Sequence, residues 1–261
     1  MSDDRRATAA EYAPYGAVSR DTSRAIYQDA LDAHADPDHP CHPFVELQRE
    51  VPDGWVWQLP IPFMGRRAGR GIVFLGLNPS YGPGDDPRLG CDFETYDHYW
   101  RSWFDAHAGS WPRLYQHYQE IGASAVDSFR IGEDALVLEM IRYRSARSGD
   151  LWQLPGMFQR EGGRTLALLR EVAPRVVLCC GRDVLWCLRE LLTSLRAQLP
   201  EHFRIGQEEG RVRRLDAGWG DVVVIGARHL TGSRPPPTRD DRRRLGEVLR
   251  EALATSSQEA T

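Results

Sequence analysis

The sequence contains no lysine, so all 33 basic residues among its 261 are arginines. A GC-rich genome is enough to explain this bias, but the chemical consequence holds whatever the cause. No side-chain amine is present to form a Schiff base, and no P-loop lysine can hold a nucleotide phosphate. Two broad classes of chemistry are therefore excluded at the outset.

Cysteines are few, and long apolar runs are missing. The number of cysteines is odd and no two form a C-x-x-C pair; they are Cys41, Cys91, Cys179, Cys180 and Cys187. We therefore expect neither a disulfide framework nor a four-thiolate zinc or iron–sulfur site. No apolar run approaches the ~20 residues of a membrane helix, and the opening MSDDRR lacks the apolar core of a signal peptide. The expectation is a cytoplasmic protein with no membrane partner.

The motifs of several enzyme classes are also missing. The chain has no G-x-G-x-x-G fingerprint, and Ser80 and Ser233 do not lie in a G-x-S-x-G elbow. A group of acidic and histidine residues (Asp85, Asp86, Asp92 and His98) lacks a recognisable metal-ligand spacing. We therefore expect no metal and no cofactor. The net charge of −4 argues against a globally basic nucleic-acid binder.

Four short runs rich in Val, Ile and Leu are present, and each is continuous rather than alternating. This pattern is typical of strands that are buried on both faces of a sheet. The runs are Ile72–Leu77, Ala135–Ile141, Val176–Cys180 and Val222–Ile225. Residues 1–43 are polar and poorly patterned, so they predict an N-terminal extension before a single domain over 44–254. Residues 255–261 predict a disordered tail.

Helical patterns separate these runs, with apolar residues spaced three and four apart between 111 and 121, 184 and 195, and 245 and 253. Thr238 followed by Asp241 predicts a capping box at the start of the last helix. Strands that alternate with helices predict an α/β fold: a three-layer α/β/α sandwich with a mostly parallel central sheet of about four strands.

In such sheets the ligand site lies beyond the carboxyl ends of the strands. The sequence places Asn78-Pro79-Ser80 after the first strand and Glu139 at the end of the second. Gly181-Arg182-Asp183 follows the third strand, and Arg228-His229 follows the fourth. An amide, a carboxyl group and an imidazole are therefore expected to converge on one edge of the sheet.

At these strand ends the chain resembles a known family. The stretches GLNPS (76–80) and RHLTGSRPPP (228–237) resemble the two signature motifs of the uracil-DNA glycosylase superfamily. The approach WQLPIPFMGRRAGRGIVFLGLNPS is similar to uncharacterised members of that superfamily, and the likeness covers roughly residues 55–253. It implies hydrolysis of a base–sugar bond in DNA. The iron–sulfur branches have four cysteines in a pattern that this chain lacks.

The resemblance assigns roles to individual residues. Asn78 takes the position of the water-positioning Asp or Asn, and His229 takes that of the histidine that stabilises the departing base. Glu139 stands where the family has a base-reading Asn, and Phe93, or alternatively Tyr96, stands where an aromatic ring would stack on the flipped base. The rest of the first motif (Gly76, Leu77, Pro79 and Ser80) would line the base pocket, and the expected DNA contacts are Arg142, Arg144, Leu230, Ser233 and Arg234.

Glu139 is the departure from the family pattern. An Asn amide offers one donor and one acceptor, which match the edge of uracil, whereas an ionised Glu only accepts. An ionised Glu139 would favour cytosine-like, guanine-like or modified bases. A protonated Glu139 would mimic the amide, but this requires a strongly raised pKa in an apolar pocket. The base that is removed is therefore left open by the sequence.

Each of these residues also has a purely structural interpretation. Asn78-Pro79 can simply end a strand, His229 can be satisfied in a loop, and Glu139 can pair with Arg142 or Arg144. Two function classes follow. One is a DNA glycosylase that acts as a monomer. It is expected to be monofunctional, since only the α-amino group of Met1 could form an imine. The other is a non-catalytic nucleic-acid or nucleotide binder that keeps the fold.

Overall fold

A computed structural model describes residues 17–49, 58–77, 79, 86–144, 157–191, 212–216, 221–230 and 237–255. In that part of the chain, helices and strands alternate as the sequence predicts. Their bounds in chain order are α1 (Arg20–Ala35), α2 (His42–Arg49), β1 (Ile72–Gly76), α3 (Phe93–Ala106), α4 (Arg113–Ala125), β2 (Ala135–Glu139), α5 (Met157–Val172), β3 (Val176–Cys180), α6 (Arg182–Leu191), β4 (Val212–Asp216), β5 (Asp221–Ala227) and α7 (Arg239–Thr255).

The strands form one sheet in the order β2-β1-β3-β5-β4. The four strands predicted from the apolar runs pair in parallel, with Gly76 opposite Glu139 and Cys180 opposite Ala227. The fifth strand, β4, pairs antiparallel to β5 at the sheet edge and was not predicted. It reads VRRLD and so lacks the continuous apolar run of the central strands.

Alternate residues of each strand face the two helical layers, which gives the α/β/α sandwich. On one side Phe74, Val137 and Leu178 pack with residues of α3, α4 and α7. On the other side Val73 and Val177 pack with residues of α5 and α6. Because both faces are covered, nearly every residue of the parallel strands is buried, and this explains their unbroken apolar pattern. The predicted fold class is confirmed.

The connections change side between β1 and β3. After β1 the chain passes through α3 and α4 on one face to reach β2, whereas after β3 it enters α6 on the opposite face. These two strands are neighbours in the sheet, and in open α/β sheets ligands bind beyond the carboxyl ends of strands whose connections change side in this way. The topology itself thus marks this edge as the place for a ligand.

The N-terminal stretch is not simply a polar extension. Residues 20–35 form α1, which begins at a Ser19 N-cap and buries Ile26, Ala30 and Ala33. Tyr27 of α1 packs against the rings of Phe93 and Tyr96, with centroids 5.8 and 5.2 Å apart. This helix was hard to recognise from the apolar pattern because it buries mostly small side chains. Of the predicted tail, only Thr255 lies within the described residues, at the end of α7.

The capping box that was predicted for the last helix is confirmed. The Asp241 backbone N–H donates to Thr238 Oγ1 at 3.1 Å, and the Thr238 backbone N–H donates to the Asp241 carboxylate at 2.8 Å. The bonds that the Thr238 N–H and hydroxyl donate to this carboxylate hold the pKa of Asp241 below its usual value. Elsewhere, no described helix combines the length and the apolar character that crossing a membrane requires.

Candidate active site at the carboxyl edge of the sheet

The carboxyl ends of the parallel strands bring most of the described site residues to one edge. Gly76 and Glu139 are partners at the ends of β1 and β2, and two further parallel bonds extend the pairing beyond the strands: Met140 N donates to Gly76 O at 2.9 Å, and Ile141 N to Leu77 O at 2.8 Å. The residue before Asn78 is therefore held in register with the chain that follows Glu139.

Several expected site residues lie outside the described part of the chain. They are Asn78, Ser80, Ser233 and Arg234. Of the residues next to Asn78, Leu77 is half-buried and Pro79 is buried. The roles of the four residues stay predictions.

His229 lies two residues beyond the end of β5, which is the strand next to β3 in the sheet. It is exposed, and its ring passes close to Gly181 at the end of β3: a methyl group built on Gly181 would lie 3.7 Å from His229 Cδ2. Gly181 has φ of +129°, which strongly favours glycine, and its N–H donates to Ala227 O at 3.0 Å. This turn therefore lies directly beside the imidazole.

The surroundings of His229 favour its neutral form. Partial desolvation of the ring lowers its pKa below 6.5, and the carboxylate of Asp183 at the start of α6 opposes this shift. At neutral pH the ring is therefore mostly uncharged, with one nitrogen donating and the other accepting.

Glu139 is almost completely buried, with 3% of its surface exposed. Its carboxyl group occupies the space beside the Cα atom of Gly76, since a methyl group built there would lie 2.7 Å from Glu139 Cδ and closer still to one oxygen. Burial raises the pKa of Glu139 to about 8, and the positive charge of Arg144 opposes this shift. Among the described residues, no hydrogen bond or ion pair reaches its carboxyl oxygens.

Two tyrosines and a thiol surround this carboxyl group. Tyr115 and Tyr118 of α4 and Cys180 of β3 are all buried and close enough to interact with Glu139 electrostatically. Burial raises the pKa of each of the three, so all are uncharged at neutral pH. The Cys180 thiol donates to Leu178 O at 3.7 Å and lies within interaction distance of the Tyr118 hydroxyl.

Arg144 does not lie on the surface, where it was expected to hold a phosphate. It is 2% exposed, forms an ion pair with Asp86, and stands over the Trp100 ring with its guanidinium carbon 5.5 Å from the centroid. Asp86 in turn accepts a hydrogen bond from the Tyr99 hydroxyl. The expectation that Arg144 contacts DNA is therefore wrong, because its guanidinium is paired with a buried carboxylate.

Arg142 is likewise withdrawn from the surface. Its guanidinium binds Glu161 of α5 through two bonds, of 2.9 and 3.2 Å, and both side chains are almost fully buried. A forked arrangement of this kind satisfies both planar groups. Neither arginine forms the ion pair with Glu139 that the sequence left open, because each is paired with a different carboxylate.

Two further expectations are corrected by burial. Phe93 is 6% exposed, and its ring lies between Tyr27 and the guanidinium of Arg24, which stands 4.0 Å from the ring centroid. The alternative, Tyr96, is fully buried and donates to Pro60 O at 2.8 Å. Leu230 is 1% exposed, so it belongs to the core rather than to a surface that contacts DNA.

The structure adds residues for which sequence reasoning had no role. Asp183 acts on His229, and its position two residues after the glycine that follows β3 was a visible signal. Tyr115 and Tyr118 belong to the helical pattern between 111 and 121, and nothing in the sequence placed them beside Glu139. Among the described residues, no group of three potential metal ligands occurs.

Comparison with protein-family models gives no match to this chain, and neither does comparison with curated proteins.

Proposed function

We propose that this protein is a monofunctional DNA glycosylase of the uracil-DNA glycosylase type. It would hydrolyse the N-glycosidic bond of a flipped damaged, deaminated or modified base and leave an abasic site. One observation carries the proposal: His229 and Glu139 lie at the same edge of a parallel sheet, on either side of the strand end where Asn78 follows. That edge is also where the connections diverge.

The chemistry follows from these groups. Breaking the bond leaves positive charge on the sugar and negative charge on the base, and donors aimed at the base oxygen supply the larger electrostatic stabilisation. A neutral His229 donates to that oxygen. Asn78 holds a water but cannot take its proton, so the rate depends mainly on stabilising the leaving base. The absence of lysine restricts the reaction to base removal without strand cleavage.

The distances suit a nucleotide. Neighbouring strands lie about 4.8 Å apart, so β2, which carries Glu139, and β5, which precedes His229, are separated by roughly 14 Å with β1 and β3 between them. A base and its sugar fit within that gap between Glu139 on one side and His229 on the other. DNA is thus the proposed partner, and we propose a monomer that works in the cytoplasm.

A second candidate is a non-catalytic binder of nucleic acid or a nucleotide. It is favoured by Glu139, which stands where the resemblance places a base-reading amide. The buried positions of Arg142 and Arg144 also remove two of the expected phosphate contacts.

The test is an alkaline-cleavage assay of purified protein on labelled oligonucleotides. These carry uracil, mismatched thymine, hypoxanthine, xanthine, hydroxymethyluracil or modified cytosines, each in single and double strands. We expect cleavage of at least one substrate, and its loss in both Asn78→Ala and His229→Ala while DNA affinity is kept. His98→Ala, an exposed histidine of α3, serves as the matched control.

The two candidates give different outcomes. DNA binding without release of any base identifies the binder. Cleavage that survives in Asn78→Ala and His229→Ala would show that these two residues are not catalytic. If the protein neither cleaves nor binds DNA, its resemblance to the glycosylase superfamily extends only to the fold.

A further inference from the structure

The buried carboxyl group of Glu139 has an unusual electrostatic setting. Three ionisable groups meet where β2 ends: Glu139, Arg144 and Asp86, exposed by 3, 2 and 4%. One cation faces two potential carboxylates, and the structure pairs it with Asp86. Glu139 is left without an ion pair within the described residues, although Arg144 is near enough to influence it.

Within the described part of the chain, no other charged group that packs against Glu139 competes for this role. From α4 it is faced by Tyr115 and Tyr118, and from β3 by Cys180, all of them neutral near pH 7. From α5, Thr165 Oγ1 donates to the backbone oxygens of Glu139 and Met140, each at 3.0 Å, and not to the carboxyl group. A buried carboxyl group without a charge partner is expected to keep its proton.

We propose that Glu139 selects the base as a neutral carboxylic acid, and that Asp86 permits this by engaging Arg144. The protonated group offers one O–H donor and one carbonyl acceptor. It complements an edge on which a ring N–H adjoins a C=O, as in uracil or hypoxanthine. Loss of the proton leaves acceptors only, which repel that carbonyl and favour an edge with an amino group, as in cytosine. Base choice therefore changes with pH through this side chain.

This inference rests on the proposed glycosylase function, but its first test does not need DNA. The free protein, labelled with ¹³C at the glutamate carboxyl carbon, is titrated by NMR, and the Glu139 signal is assigned from its absence in Glu139→Gln. We expect a titration near pH 8, in agreement with the effect of burial on its pKa. Asp86→Asn removes the carboxylate that engages Arg144, so the charge of Arg144 should act more strongly on Glu139 and the midpoint should move to lower pH. A carboxyl group already ionised at pH 6 in the unaltered protein would overturn the inference.

The second test measures single-turnover base release between pH 6 and 9.5 from matched oligonucleotides. One set carries uracil or hypoxanthine, and the other carries cytosine or 5-methylcytosine. Release of the first set should fall about tenfold per pH unit above the midpoint, as for one essential protonated group. Glu139→Gln should lack this alkaline decline because its amide does not titrate.

The outcomes separate the two proposals. Release of the first set that stays constant from pH 7 to 9.5 overturns the role of Glu139 and leaves the glycosylase standing. Absence of any release with either set overturns the glycosylase, whatever the NMR titration shows. Asp86→Asn is compared only after its amide spectrum shows the native fold. If it does not fold, the NMR midpoint and pH profile of the unaltered protein decide.

Discussion

At the scale of single residues, His229 is subject to two opposing effects on its pKa. Desolvation lowers the pKa, and the carboxylate of Asp183 raises it. Asp183→Asn removes the second effect and keeps the shape of the side chain. We expect the pKa of His229 to fall further below 6.5 in this variant, measured by NMR titration of the ring Cε1–H signal.

The control for this titration is Asp21→Asn, an exposed change in α1. It removes the same charge elsewhere on the protein and should not move the His229 signal. A rise in the His229 pKa in Asp183→Asn would contradict the assigned role of Asp183.

Gly76 and Glu139 form a second pair at this scale, because the absent side chain of one makes room for the carboxyl group of the other. Gly76→Ala should lower the free energy of unfolding by about 1–3 kcal/mol, as overpacking does in cores. In a Glu139→Ala background the same change should cost little, and a double-mutant cycle by urea denaturation measures the coupling.

Gly163 of α5 provides the matched glycine, since a methyl group built there meets nothing within 4 Å. Gly163→Ala should stabilise the protein by about 0.5–1 kcal/mol, because alanine has the higher helix propensity. If Gly76→Ala costs the same with and without Glu139, the two side chains do not share this space.

At the scale of elements, the Arg144–Asp86 ion pair joins the chain that follows β2 to the chain that enters α3. Arg144→Met leaves the Asp86 carboxylate buried without its cation, which typically costs about 3–5 kcal/mol. The free energy of unfolding from urea denaturation measures this loss.

An exposed ion pair of α7 gives the comparison. Arg243 and Glu247 lie 2.8 Å apart with more than two fifths of each side chain exposed, so Arg243→Met should cost less than about 1 kcal/mol. Equal losses of unfolding free energy in Arg144→Met and Arg243→Met would show that burial does not strengthen the Arg144–Asp86 ion pair.

The same scale shows which elements the sequence could predict. The four parallel strands were found because each is buried on both faces and therefore reads as one apolar run. The edge strand β4 was missed because it carries two arginines and an aspartate among five residues, and α1 was missed because Ser23, Ala30 and Ala33 fill its buried side. The apolar sequence pattern therefore reveals strands that are buried on both faces. It does not reveal a helix that buries small side chains or a strand at the sheet edge.

The site was predictable to the same extent. Strand ends placed Gly76, Glu139 and His229 at one edge because topology alone requires it. The partners of Arg142 and Arg144 were not predictable. Glu161 lies 19 residues beyond Arg142, and Asp86 precedes a helix in another layer, so tertiary packing alone decides which carboxylate each arginine meets.

At the scale of the whole molecule, Glu139 makes stability depend on pH. In the unfolded chain its proton leaves near the ordinary value of 4.5, whereas in the folded protein burial raises the pKa to about 8. Between these values the folded state binds one more proton than the unfolded state. The free energy of unfolding therefore decreases by about 1.4 kcal/mol per pH unit over this window and levels off above it.

Glu139→Gln removes this dependence because an amide does not titrate. Other groups titrate alike in both proteins, so the difference in unfolding free energy between the variant and the unaltered chain isolates Glu139. The variant should gain about 2 kcal/mol relative to the unaltered chain between pH 5.5 and 7, measured by urea denaturation at these two values. A difference that does not vary with pH would mean that Glu139 has an ordinary pKa in the folded protein. A rising difference would mean that the fold tolerates a carboxyl group that weakens it at neutral pH. That is the behaviour expected of a side chain kept for recognition rather than for packing.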